Sequence, residues 1–206
     1  MWYNFFKGKN NMKAVVFVDV QNDFVKGGAL AYGYPEKSNT EKIIAFAQDC
    51  RAKGYALYAT QDTHDGDYMN TLEGRKLPVP HCVKGTSGHE VIDLLHKGVD
   101  GNVIIPYGRM IEKNTFGSLD LVNKIYMDFG KEDDYSSSEY GEPLEEIILC
   151  GYYTSICIVS NALMLRAQYP NVKITVRADL CGDIDKTSHD AALHVMHNCQ
   201  IDIVEG

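Results

Sequence analysis

The sequence predicts a single-domain α/β fold with a mostly parallel sheet and helices on both of its faces. Short apolar runs rich in valine and isoleucine alternate along the chain with segments of helix length. Such alternation is typical of parallel strands joined by helical crossovers. The length of 206 residues suits one domain with a core large enough to fold alone. Function is then expected at the carboxyl ends of the strands, where such sheets bind ligands.

The individual elements follow from hydrophobic periodicity. Residues 14–20 form a nearly continuous apolar run, as expected for a strand buried on both faces. The first helix places Ile43, Ala47 and Cys50 on one face and stops at Gly54. The predicted elements, in chain order, are strand 14–20, helix 40–53, strand 55–60, helix 88–97, strand 102–106, helix 118–129, strand 146–150, helix 154–168, strand 172–177, helix 187–198 and strand 200–204.

Composition and charge exclude several functional classes. The formal net charge of -8 argues against a nucleic-acid partner, because phosphate binding needs a basic face. No apolar run approaches the roughly 18 residues needed to span a bilayer, so no membrane partner is expected. The six cysteines show no CxxC spacing, which favours reduced thiols in a cytoplasmic protein over a disulfide framework. A homo-oligomer is left open.

Three segments fall outside the strand–helix alternation. Residues 1–12 are predicted to be an N-terminal extension to a domain of residues 13–206, since they lack the apolar core and cleavage site of a secretory signal. Residues 62–87 are long and irregular, and loops of this length in compact domains are usually functional. Residues 130–143 are polar and acidic, which predicts a mobile surface excursion.

Cys157 is the most informative residue of the chain. It follows the predicted strand 146–150 and lies near the start of the predicted helix 154–168. Backbone N–H groups and the helix dipole favour a thiolate there, and the thiolate is the nucleophilic form of cysteine. The alternative is an inert packing group, which is the usual role of a buried free cysteine.

Charged residues follow other predicted strands. Asp19 closes the first strand and is expensive to bury unless it is paired. It is either a general base beside a nucleophile or a loop cap, which is the commoner role of Asp after a strand. Lys113, after the third strand, is either the balancing cation or a solvated loop lysine.

The loop after the second strand carries two imidazoles and two carboxylates. They belong to Asp62, His64, Glu73 and His81, and this mixture of N and O ligands suits a divalent transition metal. The alternative is a polar loop whose acids are solvated.

Together these residues resemble the isochorismatase-like cysteine hydrolase superfamily over about residues 13–204. Three motifs carry the resemblance: Asp19 followed by Gln-Asn-Asp-Phe at 21–24, Lys113 within Glu-Lys-Asn-Thr-Phe-Gly-Ser, and Gly-x-x-Thr-x-x-Cys ending at Cys157. Within the superfamily the chain resembles the nicotinamidases (pyrazinamidase/nicotinamidase). That similarity rests on Gln-Asp-Thr-His at 61–64 and Pro-His-Cys-Val-Lys-Gly-Thr-Ser-Gly at 80–88.

The resemblance implies a fold and an activity. The fold is a three-layer α/β/α structure with a six-stranded, mostly parallel sheet. The activity is hydrolysis of nicotinamide to nicotinate and ammonia, a step of NAD salvage and pyridine nucleotide biosynthesis. The alternatives are another small amide or carbamoyl substrate of the same superfamily, isochorismate hydrolysis, and a non-catalytic metal-binding module.

The resemblance also assigns roles to residues. It implies a catalytic triad and an oxyanion hole made by the N–H groups of Tyr153 and Cys157, with a cis peptide before Tyr153. It further implies one divalent metal ion (zinc, iron or manganese), and substrate contacts from Phe24 and Tyr153. The fourth metal ligand varies among nicotinamidases between His and an acid, so Glu73 is predicted, with Asp67 in reserve. The triad is Asp19, Lys113 and Cys157, and the metal ligands are Asp62, His64, Glu73 and His81.

This chain departs from its relatives at three places. Most relatives carry Asp where this chain has Ser155, and several nicotinamidases carry Trp shortly before the second metal His, where residues 77–80 are Leu-Pro-Val-Pro. Tyr152 and Tyr153 are larger than the residues often found at those positions. A narrower or differently shaped pocket is therefore expected.

Overall fold

The computed structural model describes residues 12–25, 27–98, 100–130 and 143–206. They form a six-stranded sheet in the order β3-β2-β1-β4-β5-β6, and each neighbouring pair of strands is parallel. The predicted single-domain α/β fold is confirmed. The strands are β1 (Met12–Val18), β2 (Ala56–Asp62), β3 (Met110–Lys113), β4 (Leu144–Tyr152), β5 (Lys173–Gly182) and β6 (Asp202–Val204).

Helices connect the strands in two groups. The first comprises α1 and α3, which contact each other, and the second comprises α4, α5 and α6, in which α5 contacts both of the others. A short helix, α2, lies in the long loop after β2. The helices are α1 (Thr40–Ala52), α2 (Leu72–Lys76), α3 (Asp93–His96), α4 (Leu119–Phe129), α5 (Val159–Gln168) and α6 (Lys186–Asn198).

The sheet order places a topological switch point between β1 and β4. From β1 the chain adds β2 and β3 on one side, and from β4 it adds β5 and β6 on the other. The carboxyl ends of two such strands part to form a crevice, which is where open α/β sheets bind ligands. Asp19 directly follows β1 and Cys157 follows β4, so both candidate residues lie at this crevice.

The predicted strand at 102–106 is wrong. Ile104 and Ile105 are buried, but the backbone there bends, Ile104 N–H donates to the carbonyl of His96, and Val103 bridges Lys97. The apolar run therefore fills the core through side chains and closes a local turn. The third strand is instead β3, which pairs with β2 at the edge of the sheet.

The predicted helix 88–97 is reduced to the four residues of α3. Residues 88–90 form turns and a bend beside the loop after β1, where Asn22 N–H donates to Glu90 O and Asp23 N–H to Gly88 O. A Cβ at Gly88 would lie 2.1 Å from the Asp23 carboxylate, so this close approach needs glycine. The start of the helix is therefore replaced by a loop-to-loop contact.

Two predicted segments lie outside what the structure describes. These are the N-terminal extension, apart from Met12, which opens β1, and most of the acidic excursion at 130–143. Within the described ranges, no helix is both long and apolar enough to cross a membrane.

Candidate active site

Asp19 is held at the end of β1 by the neighbouring strand. Its side chain is fully buried, and Thr60 Oγ1 donates to Asp19 Oδ1 at 2.6 Å. The backbone of Asp19 has φ +51°, a left-handed conformation that Asp tolerates better than most residues. Its N–H in turn donates to Thr60 Oγ1 and O, at 3.1 and 3.2 Å. Thr60 thus fixes both the backbone and the carboxylate of Asp19.

Lys113 brings the predicted groups together. It ends β3, and its side chain is only 2% exposed. Its Nζ lies 2.8 Å from Asp19 Oδ2, 3.2 Å from Asp62 Oδ1 and 3.6 Å from Cys157 Sγ. The sequence placed Lys113 in a loop after a strand at 102–106. It is instead the last residue of an edge strand, and this position points the ammonium into the crevice.

Cys157 lies in a π-helical turn, Thr154–Ile158, that precedes α5. The Tyr153 carbonyl accepts N–H groups from Ile156 and Ile158, and the Cys157 carbonyl accepts from Asn161 Nδ2 at 2.8 Å. π turns inside helices are frequent at functional sites. The peptide bond between Tyr152 and Tyr153 is cis, as the resemblance implied.

Burial governs the protonation of the site. Burial raises the pKa of Cys157 well above its usual value, although the nearby Lys113 ammonium opposes this. Burial thus works against the thiolate that the helix start was expected to favour. Burial also raises the pKa of Asp19 against the opposing effect of Lys113. A neutral thiol is a weak nucleophile. A base close to the sulfur is therefore needed to remove its proton.

Lys113 keeps its positive charge although its side chain is buried. Burial opposes its charge, but the carboxylates of Asp19 and Asp62, together with the adjacent sulfur of Cys157, outweigh burial and raise the pKa of Lys113 well above its usual value. The ammonium thus compensates negative charge on several sides at once.

Three predicted metal ligands converge next to this group. Asp62 ends β2, and its Oδ2 lies 3.1 Å from His64 Nε2 and 3.3 Å from His81 Nε2. One ligand atom from each of the three residues lies within 4.8 Å of the others, and all three side chains are buried. Burial opposes charge on Asp62, but hydrogen bonds from both imidazoles hold its pKa below the usual range.

The fourth predicted ligand, Glu73, lies beside the two imidazoles but outside the group formed by the other three ligands. Its Oε1 lies 3.8 Å from His64 Nε2 and 3.7 Å from His81 Nε2. Glu73 is in the first turn of α2, whose start is capped by Thr71 accepting the N–H of Gly74. Asp67 is exposed and precedes a separate 3₁₀ turn, Tyr68–Asn70. The geometry therefore favours Glu73 over Asp67.

The donor set fits a divalent ion. His81 Nδ1 faces the carbonyl of Val79 at 2.8 Å, which leaves Nε2 to face Asp62 and Glu73. Metal-binding histidines usually donate their second ring N–H to a carbonyl or carboxylate in this way. Two imidazoles and two carboxylates suit zinc, iron or manganese.

Sequence reasoning missed two residues that support this cluster. Gln21 Nε2 donates to the carbonyl of Asp62 at 2.8 Å, and its Oε1 accepts the Asp62 N–H at 2.7 Å. Asp23 Oδ2 accepts the N–H of Cys82, next to His81, at 2.7 Å. Both residues belong to the run at 21–24, where they served only as a family signature. The available signal was the amide side chain of Gln21, which lies close to the end of a buried strand.

Aromatic rings form one wall of the crevice. The Phe24 ring lies 5.6 Å from the His81 ring and 5.4 Å from the Tyr153 ring, centroid to centroid. Tyr68, which sequence reasoning also missed, lies 4.6 Å from the His64 ring. The predicted substrate contacts, Phe24 and Tyr153, are thus adjacent to each other and to the metal cluster.

The expectation that Tyr152 narrows the pocket is wrong. Its ring stacks on Tyr32 at 4.7 Å, and its hydroxyl donates to Asn39 Oδ1 at 2.8 Å. Asn39 immediately precedes α1, so Tyr152 points toward that helix. Only Tyr153 of the pair lies beside Phe24.

A cavity of about 1300 Å³ borders the site. His64, Glu73 and Lys113 line it. In the absence of a tryptophan at 77–80, Leu77 is one of its walls. The other apolar lining residues are Leu72, Phe116, Leu119, Ile156, Met164 and Ile184.

Comparisons with known proteins identify the family and the fold. The isochorismatase domain model matches residues 13–205. The nicotinamidase of Escherichia coli is 27% identical over an alignment of length 205 that covers 87% of each chain. The structure of a nicotinamidase/pyrazinamidase from Bacillus subtilis has a TM-score of 0.72 at 24% identity, covering 94% of this chain and 99% of that one.

A second solved structure carries a metal. The pyrazinamidase of Pyrococcus horikoshii in complex with zinc has a TM-score of 0.69 at 23% identity, covering 94% of this chain and 99% of that one. At these identities the two structures establish the shared fold, and the domain match over nearly the whole chain establishes the family. The chain belongs to the isochorismatase family of hydrolases, and the relatives it resembles are nicotinamidases.

Proposed function

We propose that this protein is a nicotinamidase, which hydrolyses nicotinamide to nicotinate and ammonia through a thioester on Cys157. One observation carries the proposal: Lys113 Nζ contacts Asp19, Cys157 and Asp62 together, so the proposed nucleophile, base and cation adjoin the predicted metal ligands. The family alone would fit many amidases. The adjoining cluster favours a substrate that offers a second group, such as a ring nitrogen, near its carboxamide.

The first half of the reaction forms the thioester. Asp19 takes the Cys157 proton, and Lys113 stabilises the resulting charges. The sulfur attacks the carboxamide carbon, and the N–H groups of Tyr153 and Cys157 stabilise the developing oxyanion. Removal of one such donor typically slows acyl transfer by ~10²–10³-fold. The C–N bond then breaks, and Asp19 returns the proton to the departing ammonia.

The second half releases nicotinate. Asp19, again a carboxylate, takes a proton from a water molecule that attacks the thioester carbonyl. The C–S bond breaks, and the sulfur of Cys157 recovers a proton. The raised pKa of Asp19 suits both roles, since a base that must also act as an acid works best with a pKa nearer neutrality.

Asp62, His64, Glu73 and His81 would hold one divalent ion, either zinc, iron or manganese. When bound, such an ion supplies a Lewis acid that can accept the lone pair of a pyridine nitrogen. Phe24 and Tyr153 would pack against the ring and exclude water from it. The metal-binding residues and the two aromatic side chains would together fix the ring so that the carboxamide of the substrate faces Cys157.

The decisive experiment compares ammonia release from nicotinamide, pyrazinamide and benzamide. The first two offer a ring nitrogen in the same relation to the carboxamide, whereas benzamide has the same shape without one. An unmet polar contact costs ~1–3 kcal/mol, so kcat/KM for benzamide should be roughly 5- to 150-fold lower. Equal rates for all three would favour a general amidase, and no ammonia from any of them would point to another substrate class.

A matched variant separates ring recognition from chemistry. His64→Ala should remove most of the preference for nicotinamide over benzamide, together with the bound metal. Cys157 should still react with iodoacetamide in that variant, because the triad is left in place. Retention of the full preference after loss of metal would contradict the proposed ring contact.

A further inference from the structure

Asp183 is a buried acid that the proposed mechanism does not use. Its side chain lies just beyond β5 and is 0% exposed. Its carboxylate accepts three hydrogen bonds: from Ser155 N–H at 2.7 Å, Ser155 Oγ at 2.9 Å and Ile184 N–H at 2.7 Å. Burying a carboxylate is costly unless such donors satisfy it. Two of the three donors belong to one residue of the π turn that carries Cys157.

The backbone of Asp183 is anchored on its other side. Its N–H donates to Tyr34 O at 2.8 Å, and its carbonyl accepts the N–H groups of Gly33 and Tyr34, each at 2.9 Å. The preceding residue, Gly182, accepts the hydroxyl of Thr154 at 3.2 Å. Consecutive residues at the end of β5 therefore bind consecutive residues at the start of the turn. The carboxylate is the stronger of these two attachments, because hydrogen bonds to a charged group exceed neutral ones.

We propose that Asp183 is a positioning residue for catalysis: its carboxylate clamps Ser155 and so fixes the turn that holds Cys157 Sγ and the oxyanion donors. The proposal rests on the proposed amide hydrolysis for its kinetic consequences. The geometry gives Ser155 a physical role, as the partner of a carboxylate that lies just beyond β5.

The clamp acts on geometry at the reacting atoms. Ser155 lies between Tyr153 and Cys157, so a shift of its peptide would move the two N–H groups assigned to the oxyanion. Misplacement of reacting groups by about 1 Å can cost ~10²-fold in rate. Of the two predicted substrate contacts, Phe24 lies on another loop, as does the metal ligand His64, whereas Tyr153 directly precedes the turn. Loss of the clamp should therefore lower kcat more than it raises KM.

The test is a reciprocal exchange. Because Ser155 Oγ and Asp183 Oδ1 face each other at 2.9 Å, the Ser155→Asp/Asp183→Ser double variant keeps one carboxylate and one hydroxyl between the π turn and the end of β5. We expect Asp183→Ser to lower kcat for nicotinamide roughly 10- to 100-fold, with KM changed less than about threefold. The double variant should recover to within about fivefold of wild type, as expected for coupled neighbours.

The rate of Cys157 alkylation by iodoacetamide, followed by peptide mass spectrometry, is the second readout. It should fall in Asp183→Ser and recover in the exchange variant. If the wild-type protein releases no ammonia from nicotinamide, the proposed function fails, whereas these alkylation rates still decide the role of Asp183. Asp185→Asn is the matched control, since Asp185 caps α6 and Asn caps helices equally well.

Two outcomes would overturn the proposal. The first is normal kcat and normal Cys157 alkylation in folded Asp183→Ser. The second is an exchange variant that folds with the wild-type melting temperature but stays as slow as Asp183→Ser. If Asp183→Ser does not fold, the isosteric Asp183→Asn variant takes its place. It should lower kcat, because an amide cannot accept at both positions.

Discussion

Asp62 and Lys113 are paired in register at the ends of neighbouring parallel strands, and Lys113 Nζ lies 3.2 Å from Asp62 Oδ1. This pair joins the two halves of the site. Asp62 belongs to the metal-ligand cluster, whereas Lys113 contacts Asp19 and Cys157. A change in the charge of either residue should therefore be felt in both halves.

Replacement of Cys157 should abolish the reaction. Cys157→Ala is expected to lower ammonia release by at least about a thousandfold, because no other thiol can form the thioester at this place. The fold should persist, since only a sulfur atom is removed. Ammonia release measures the loss of activity, and far-ultraviolet circular dichroism shows whether the fold persists.

The exposed Cys199 offers the control for that experiment. Cys199→Ala should retain wild-type kcat. Substantial turnover by Cys157→Ala would refute the nucleophile assignment and, with it, the thioester mechanism.

Glu73 and Asp67 can be separated by metal content. Glu73→Ala should lower the zinc or manganese affinity of the protein by roughly 10- to 100-fold, because its carboxylate lies beside both imidazoles. Asp67→Ala, a change of the same kind in the same loop, should leave metal content unchanged. Metal analysis after dialysis measures both. Loss of metal from Asp67→Ala alone would reverse the ligand assignment.

The Gln21 side chain should tune the metal site without touching the ion. Gln21→Met removes both hydrogen bonds to the Asp62 backbone at nearly constant volume. Buried backbone groups left without partners cost ~1–3 kcal/mol, and misdirected ligands weaken metal binding. We expect about a tenfold weaker zinc affinity and a lower melting temperature.

Gln168→Met on the exposed end of α5 is the control for the Gln21 experiment. Gln168→Met should change neither the zinc affinity nor the melting temperature. An unaltered zinc affinity in Gln21→Met would show that Asp62 does not need this support.

Stability should depend on pH through Glu146. Burial opposes its charge, but hydrogen bonds from Lys13 and Thr175 prevail and hold the pKa of Glu146 below its usual value. A carboxyl with a depressed folded-state pKa stabilises the fold above its unfolded pKa, and this contribution is lost as pH falls through the folded value. Glu146→Gln should therefore cost ~1–3 kcal/mol at pH 7.

Urea unfolding of wild type and Glu146→Gln at pH 7 and at about pH 3 measures this contribution. The difference between the two proteins should shrink at the lower pH. A difference that stays constant between the two pH values would mean that Glu146 does not act through its charge.

The sequence was sufficient for much of the fold and for the set of candidate residues. Asp19 and Cys157 each follow an apolar run, and in parallel strands such positions converge at one edge whatever the loops do. Their roles remain predictions. The strand that carries Lys113 was misplaced, because β3 is a short, half-exposed edge strand that has little hydrophobic pattern, whereas the more apolar run at 102–106 packs without joining the sheet.

The supporting residues were beyond sequence reasoning for a different reason. Gln21 and Asp183 act on backbone groups far away in the chain, 41 residues in one case and 28 in the other. Local periodicity carries no trace of such contacts. The orientation of Tyr152 was equally hidden, because neighbouring residues on a strand face opposite sides of the sheet and the register must be known to choose between them.

The position of β3 has a consequence for how the protein would lose activity. Asp19 directly follows β1, in the middle of the sheet. Lys113 is the last residue of β3, a four-residue edge strand with a single neighbour. Edges of this kind detach in partial openings that need far less free energy than global unfolding. The ammonium could thus leave Asp19 while β1, β4 and β5 stay paired. Under mild denaturant, catalysis should fade at concentrations where most of the sheet is still protected from hydrogen exchange, which makes enzymatic activity a reporter of the outer strand alone.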